Sequence, residues 1–482
     1  MNLYLCGHSF RYETENLCRA FFPNESVAVF EGDCRDKPGE ISVCTKISGG
    51  DLFVSVGTDG RTVEKRRSAP AGGDQELLLA ALIFSVLSEF TNYEPPWGIL
   101  TGVRPSKLMN TLISSSSPED AKRYFIESLL VSREKTELTA DVALREKEII
   151  SSSRPDSYSL YISIPFCPSR CSYCSFVSHS IAGRNAQKLV SPYVEMLVGE
   201  LRENARIAAE MGLRLESVYF GGGTPTALSA EQLDAVCGAV EENFNLSTCR
   251  EYTVEAGRPD TITAEKLKVL KSRNVTRISI NPQTMNAEVL KSVGRKHSPK
   301  DTLDAFFLAR GEGFEDINMD LIAGLYGDTA DSFSDSLDSL VSLKPESVTV
   351  HTLALKRSSS LVAIENAFVP DGSSVAKMLE FAQRKLPANG YHPYYMYRQS
   401  RSVGNFENVG WCLDGRECAY NIFMMEECHT VLAAGAGGVT KLRHPVSGRI
   451  ERIFNFKYPY EYISRFSELI ERKKRINSFY ES

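Results

Sequence analysis

Residues 158–174 read YSLYISIPFCPSRCSYC. The first half is rich in β-branched and aromatic residues and stops at Pro165, which is the signature of a strand. It runs directly into a loop that carries Cys167, Cys171 and Cys174 in C-x3-C-x2-C spacing. In parallel βα folds, the loop leaving the C-terminal end of a strand is where active sites are built. Three thiolates a few residues apart on one loop can converge on a metal or a cluster. An iron–sulfur cube held through three of its four irons leaves the fourth open to substrate or cofactor. The competing reading is a closed Cys3His zinc site that recruits His179.

The same strand-then-helix order recurs on the C-terminal side. A helix is expected near Arg184–Met211, then SVYFGGG (217–223) with a helix near Ala230–Phe244, and EYTVEAG (251–257) with one from Ala264. VTRISINPQ (275–283) precedes helices near Ala287 and Thr302, DINMDLIAGL (316–325) precedes one near Ala330–Val341, and SVTVHTLAL (347–355) closes the series. Repeated βα units of this kind argue for parallel strands with right-handed crossovers. The expected fold class is α/β, a partial (β/α)6 TIM-like barrel over 157–356, with a doubly wound open sheet as its competitor.

On the N-terminal side, residues 1–150 mix alternating stretches with helical periodicity and read as a small α+β domain of unassigned role. Its apolar run LLLAALIFSVL, Leu77–Leu87, is too short to span a bilayer and reads as a buried helix. The polar stretch Ser151–Ser157 makes the boundary. Residues 357–482 form a mixed C-terminal region, read as accessory or substrate-covering, with GWCLDGRECAYN and the Gly-rich AAGAGGVTK.

The composition is that of a globular chain: 482 residues, 42% hydrophobic and 24% charged. A net charge of −6 offers no global field for nucleic acid or anionic lipid. No basic n-region and long apolar h-region open the sequence, and apart from the trio its 12 cysteines are scattered. A cytoplasmic protein with no membrane span and no nucleic-acid partner is expected.

Polar groups recur where the later strands end: the GGGTPT turn (221–226), Glu255, Gln283 and Asp320, with Arg295 and His297 in VGRKHS. Each alone is a candidate structural residue, but several facing the mouth that holds the cysteines point to a binding site.

Taken together, YISIPFCPSRCSYCSF, GGGTPT, VEAGRPD, NPQT, VGRKHS and INMDLIAGL resemble the oxygen-independent coproporphyrinogen III oxidase family of radical S-adenosylmethionine (SAM) enzymes. WGILTGVRPSKL and ECAYNIFMMEECHTVLAAGAGGVTK resemble its HemZ-type branch, extending the likeness over nearly the whole chain. The resemblance implies that Cys167, Cys171 and Cys174 ligate a [4Fe-4S] cluster whose free iron chelates SAM. Tyr161 would contact SAM, Gly222 its methionyl end, and Glu255 its amino or ribose groups. Gly223, Thr224, Gln283, Arg295 and Asp320, with Tyr173 and Ala354 as looser matches, resemble positions for a second SAM.

The implied reaction is oxidative decarboxylation in haem biosynthesis. A 5′-deoxyadenosyl radical would abstract hydrogen from a propionate β-carbon, and loss of CO2 and an electron would leave a vinyl group. A tetrapyrrole substrate and a low-potential donor of flavodoxin or ferredoxin type are the implied partners. Lys356, Arg357, Arg398 and Arg401 would suit its propionates, or form an ordinary basic surface. Cys412, Cys418 and Cys428 read as buried or free thiols. One departure bears on function: family oxidases resemble C-x3-C-x2-C-x-C, whereas Ser175 and Phe176 follow Cys174 here, an ending also seen in the haem-chaperone branch. A haem carrier that keeps cluster and SAM is therefore the alternative, and a zinc-stapled interaction protein the non-enzymatic one.

Overall fold

The computed structural model describes residues 1–34, 39–70, 72–176, 178–356 and 372–481. These form two compact units, one of residues 1–144 with 371–373 and 396–407, the other of 145–370 with 374–395 and 408–482.

The first unit is built on a five-stranded sheet. β1 (Asn2–Cys6) pairs in parallel with β2 (Ala28–Glu31) and β3 (Ser42–Ser48), while β4 (Asp51–Thr58) and β5 (Arg61–Ser68) follow as antiparallel hairpins. Along β4 buried Leu52, Val54 and Val56 alternate with more exposed residues, because one face of the sheet is covered and the other is not. The cover is the helix Gln75–Thr91, which begins where the Asp74 side chain accepts a hydrogen bond from Leu77 N at 3.1 Å. This helix contains the apolar run Leu77–Leu87 and buries Leu79, Leu82, Ile83, Phe84, Val86 and Leu87.

The second unit holds an eleven-stranded sheet. Six strands in sequence order are neighbours and parallel: β6 (Ser157–Ile164), β9 (Arg214–Gly222), β10 (Glu251–Glu255), β11 (Arg277–Ser279), β12 (Ile317–Ala323) and β13 (Ser347–Thr352). A doubly wound sheet reverses its strand order at a switch point; this one runs in a single direction, which is barrel-type winding. β15 (Glu407–Cys412) adds antiparallel to β13, with β14 (His392–Arg398) beyond it. On the other side β16 (Thr430–Ala434) pairs in parallel with β6, and β17 (Val439–Arg443) and β18 (Ile450–Phe454) follow antiparallel. Residues of the expected C-terminal region thus extend both edges of the central sheet.

Helices fall where the periodicity places them: Arg184–Glu210, Ala230–Asn243, Ala264–Ser272, Ala287–Ser292, Pro299–Gly311 and Ala330–Leu343. Capping boxes start two of them, Ser229 with Gln232 and Ser298 with Asp301. Between helices and sheet the core is continuous, with Leu160, Ile162, Ile164, Val218, Phe220, Val254, Ile278, Met319 and Leu321 fully buried. Strands buried on both faces lose the polar alternation of β4 and read as apolar runs. β11 is shorter than its VTRISINPQ run suggests, because Pro282 lacks an N–H and Gln283 turns into the left-handed region at φ 71°.

Candidate active site

The cysteine loop leaves β6 and is tied at its start by a two-residue parallel pairing of β7 (Phe166–Cys167) with β8 (His179–Ser180). Beneath it lies the turn after β9. Gly223 N donates to Ile164 O and Thr224 N to Phe166 O, both at 2.8 Å. A Cβ on Gly223 would sit 2.6 Å from Phe166 O and 3.0 Å from Cys167 Sγ, so only glycine lets the two backbones lie this close. Thr224 Oγ1 donates to Cys167 Sγ at 3.4 Å. From the turn after β10, buried Arg258 sets Nη1 3.7 Å from Cys171 Sγ and 3.2 Å from Ser169 Oγ, and is itself held by Asp260 at 2.9 and 3.0 Å.

All three cysteines are free. Burial raises the Cys167 thiol above its ordinary range and pushes that of Cys174 up to about 11. Thiols in this environment ionise when a cationic centre compensates the thiolate, which is the chemistry of a metal-cluster ligand set. His179 does not complete a single-ion site. Its ring packs edge-on against Tyr458 and Tyr460, at 6.1 and 6.5 Å. Among the described residues the one metal-type group closed to within 4.8 Å lies elsewhere, at His392, Cys412 and Glu417.

Beside the cysteines the strand ends form a polar, aromatic-walled mouth. Tyr161 on β6, Tyr219 on β9 and Tyr420 stack at centroid distances of 6.4, 6.1 and 4.3 Å. Tyr219 Oη donates to Glu255 Oε1 at 2.6 Å. Burial pushes the Glu255 carboxyl up to about 7, against the lowering effect of the Tyr219 hydrogen bond. Next along the sheet, Asp320 lies 3.6 Å from His351 Nε2 and accepts from Asn318 Nδ2 at 2.7 Å. Burial works against the charge on both Asp320 and His351. The pairing outweighs it, holding the carboxyl below and the imidazole above their ordinary values.

Gln283 N donates to Asp320 O at 2.9 Å, so its left-handed turn is fixed on β12. Arg295 donates from Nε to Tyr173 Oη at 3.1 Å and from Nη1 to Asn281 O at 2.6 Å, linking the cysteine loop to the turn after β11. Within this mouth Gln283 Oε1, Asn281 Oδ1, Ser279 Oγ and Tyr420 Oη are buried without a hydrogen-bond partner. Orphaned buried polar atoms call for a ligand or water. With three free thiols nearby, they suit a thiolate-held cluster and a polar cofactor bearing amino and hydroxyl groups.

The structure therefore gathers Tyr161, Gly222, Gly223, Thr224, Glu255, Gln283, Asp320, Arg295 and Tyr173 around the ends of the parallel strands, with Ala354 just beyond β13. His297 is buried and neutral, its pKa lowered to about 4 mainly by burial. Tyr219, Tyr420, Arg258 and His351 were not singled out from sequence. Their signal is only alternation within a strand or a place one turn after it, which any core residue shares.

Of the four candidate substrate cations, Lys356 is half-buried beyond β13, and Arg357 lies outside the described residues. Arg398 does not belong to a cationic rim. In the first unit it is buried, stacks 4.9 Å over Trp97 and donates to Leu100 O, Gly102 O and Asn405 O. Arg401 is exposed in that same unit. The WGILTGVRPSKL stretch is thus an internal seam of the first unit, where buried Trp97 donates to Glu407 Oε2 at 2.8 Å. Cys412 and Cys418 are buried free thiols, and Cys428 is half-buried.

Comparison with known proteins carries the assignment further. The radical SAM superfamily matches residues 161–340. The oxygen-independent coproporphyrinogen-III oxidase-like protein HemZ of Bacillus subtilis is 38% identical over 404 residues, 82% of this chain and 79% of that protein. Heme chaperone HemW of Bacillus subtilis is 30% identical over 312 residues, 63% of this chain and 77% of that protein. In fold, coproporphyrinogen III oxidase (HemN) of Escherichia coli, a radical SAM enzyme, matches with a TM-score of 0.53 at 23% identity, covering 68% of this chain and 72% of that one. The chain therefore belongs to the oxygen-independent coproporphyrinogen-III oxidase-like family of the radical SAM superfamily, whose cofactors are a [4Fe-4S] cluster and SAM.

Proposed function

We propose that the protein oxidatively decarboxylates the propionate side chains of coproporphyrinogen III to vinyl groups, giving protoporphyrinogen IX. One observation carries this reading: the likeness to HemZ runs over 82% of the chain at 38% identity, well past the 63% shared with HemW. When bound, the cluster and SAM supply one-electron cleavage and hydrogen abstraction, chemistry that belongs to the cofactor.

The chain's own residues bind, orient and shield. Cys167, Cys171 and Cys174 would hold the cluster, with Arg258 placing a fixed positive charge 3.7 Å from Cys171 Sγ. Glu255, half-buried beside Tyr219, would ionise on meeting a cationic amino group, because the incoming charge offsets its desolvation. Gly222 would let the β9 turn approach a bound methionyl group, and Tyr161 would wall it. Gly223, Thr224, Gln283, Arg295 and Asp320, with Tyr173 and Ala354, would take a second SAM. The aromatic stack would help exclude water, which protects a radical reaction from quenching.

A second reading has its own support. Ser175 and Phe176 follow Cys174, Phe176 is 65% exposed, and HemW is a relative at 30% identity. A haem carrier would keep cluster and SAM without producing vinyl groups.

The deciding experiment is an anaerobic assay of cluster-reconstituted protein with SAM, a low-potential reductant and coproporphyrinogen III, following methionine, 5′-deoxyadenosine, CO2 and protoporphyrin after oxidation. Vinyl product that vanishes in Cys171→Ala is the expected result. Stoichiometric haem binding with no vinyl product would reject the decarboxylase and leave the carrier standing.

A further inference from the structure

At the start of β14 and the end of β15, away from the cysteine loop, His392, Cys412 and Glu417 bring one nitrogen, one sulfur and one carboxylate oxygen to within 4.8 Å of one another. Cys412 pairs with Ser347, the first residue of β13, so the group lies at the N-terminal edge of the parallel strands, opposite the loop that leaves the C-terminal end of β6. All three residues belong to the second unit.

His392 Nε2 is 3.0 Å from Glu417 Oε1 and 3.3 Å from Cys412 Sγ, while Nδ1 is 3.1 Å from Asp414 Oδ1. A neutral imidazole owns one N–H. Whichever nitrogen carries it, the other directs its lone pair at a carboxylate, so a neutral ring is mismatched on one side. A cation beyond Nε2 removes the mismatch. Nδ1–H then donates to Asp414 and the Nε2 lone pair faces the metal, the carboxylate–histidine–metal relay found around bound zinc. Spacing agrees as well. Zinc–ligand lengths of about 2.0–2.3 Å at a tetrahedral angle put ligand atoms ~3.3–3.7 Å apart, a few tenths of an ångström from the two contacts of His392 Nε2, while Cys412 Sγ and Glu417 lie within 4.8 Å of each other. His392 and Cys412 are buried and the Glu417 side chain is 17% exposed, whereas Asp414, also paired with Arg145 at 3.5 Å, is exposed.

We propose that His392, Cys412 and Glu417 bind a divalent cation of the zinc class, with Asp414 orienting the imidazole and a fourth position open to water. A mixed sulfur, nitrogen and oxygen donor set favours borderline-soft zinc over magnesium or calcium, which take oxygen ligands. The site pins the end of β15 and the loop that follows it to the start of β14.

The test uses full-length, anaerobically cluster-loaded protein, incubated with zinc chloride and desalted, with zinc and iron quantified by mass spectrometry in the same sample. About one zinc per chain beyond the cluster iron is expected, with a zinc-dependent rise in Tm. His392→Ala and Cys412→Ser should each lose at least nine-tenths of the zinc while keeping iron and circular dichroism. If Cys412→Ser does not fold, Glu417→Gln decides in its place. Absence of zinc after desalting, zinc that rises only as iron falls, or a wild-type zinc content in the folded Cys412→Ser or Glu417→Gln variant would overturn the proposal and leave a charged imidazolium between two carboxylates as the account of the cluster.

Discussion

At the residue scale, Glu255 shows how burial sets chemistry. Its carboxyl titrates at about 7 in the folded protein against 4.5 as the ordinary value, with desolvation the leading cause. Between those pH values the folded state holds a proton that the unfolded state has lost. Stability therefore falls as pH rises from 4.5 to 7, and the full deficit, ~3 kcal/mol at most, is reached above that window. Glu255→Gln removes the charge while still accepting from Tyr219. In the absence of SAM, it should raise Tm at pH 8 and leave it unchanged near pH 4.5, a difference readable by thermal melts across pH. An equal effect at both pH values would mean that the carboxylate is not the source. The same substitution should weaken SAM binding, since the group meant to meet a cation is then neutral.

Elements matter through their ends. The β9 turn supports the cysteine loop by two backbone hydrogen bonds and a glycine-only approach at Gly223. Gly223→Ala forces its methyl onto Phe166 O and Cys167 Sγ, and overpacking of this kind costs about 1–3 kcal/mol. The expected phenotype is a folded protein, normal by circular dichroism, with iron and sulfide per chain at less than half of wild type after reconstitution. Thr224→Val keeps the volume and loses only the 3.4 Å contact to Cys167, so its iron content should stay close to wild type. The reverse order of the two variants would reject this account of the turn. A second close approach closes the other side of β6: at φ 94°, Gly435 brings its backbone so near Ser163 O that a Cβ would lie 2.3 Å away. This close approach is what Gly435 of the AAGAGG run serves.

At the scale of the whole molecule, the residues from Asn408 on belong to the second unit. Lys473 and Glu200 form a fully buried pair at 2.8 Å. Glu200 also accepts from Gly435 N at 2.7 Å, Asn455 Nδ2 at 2.8 Å and Tyr462 Oη at 2.6 Å, joining the helix Arg184–Glu210 to the last helices. Removing one member of such a pair leaves an uncompensated buried charge and costs about 3–5 kcal/mol. Lys473→Met should lower the urea midpoint accordingly. Adding Glu200→Gln should recover part of the loss, because the amide oxygen still accepts from Gly435 while the charge is gone. A double variant no better than the single one would refute the charge argument.

Sequence by itself determined the βα order, the helix positions, the cysteine trio and the strand ends that carry Glu255, Gln283 and Asp320. These signals are local: a residue type, a spacing of a few positions or a hydrophobic period. Only the tertiary structure decided partners that lie far apart in the chain. It placed Arg258 against Cys171, His351 against Asp320, and Tyr420 on Tyr219, and it buried Arg398 on Trp97 instead of on a rim. It also made strands of the C-terminal region continue the sheet. The reason is physical: which side chains meet depends on strand register and on desolvation, and both are properties of the packed chain.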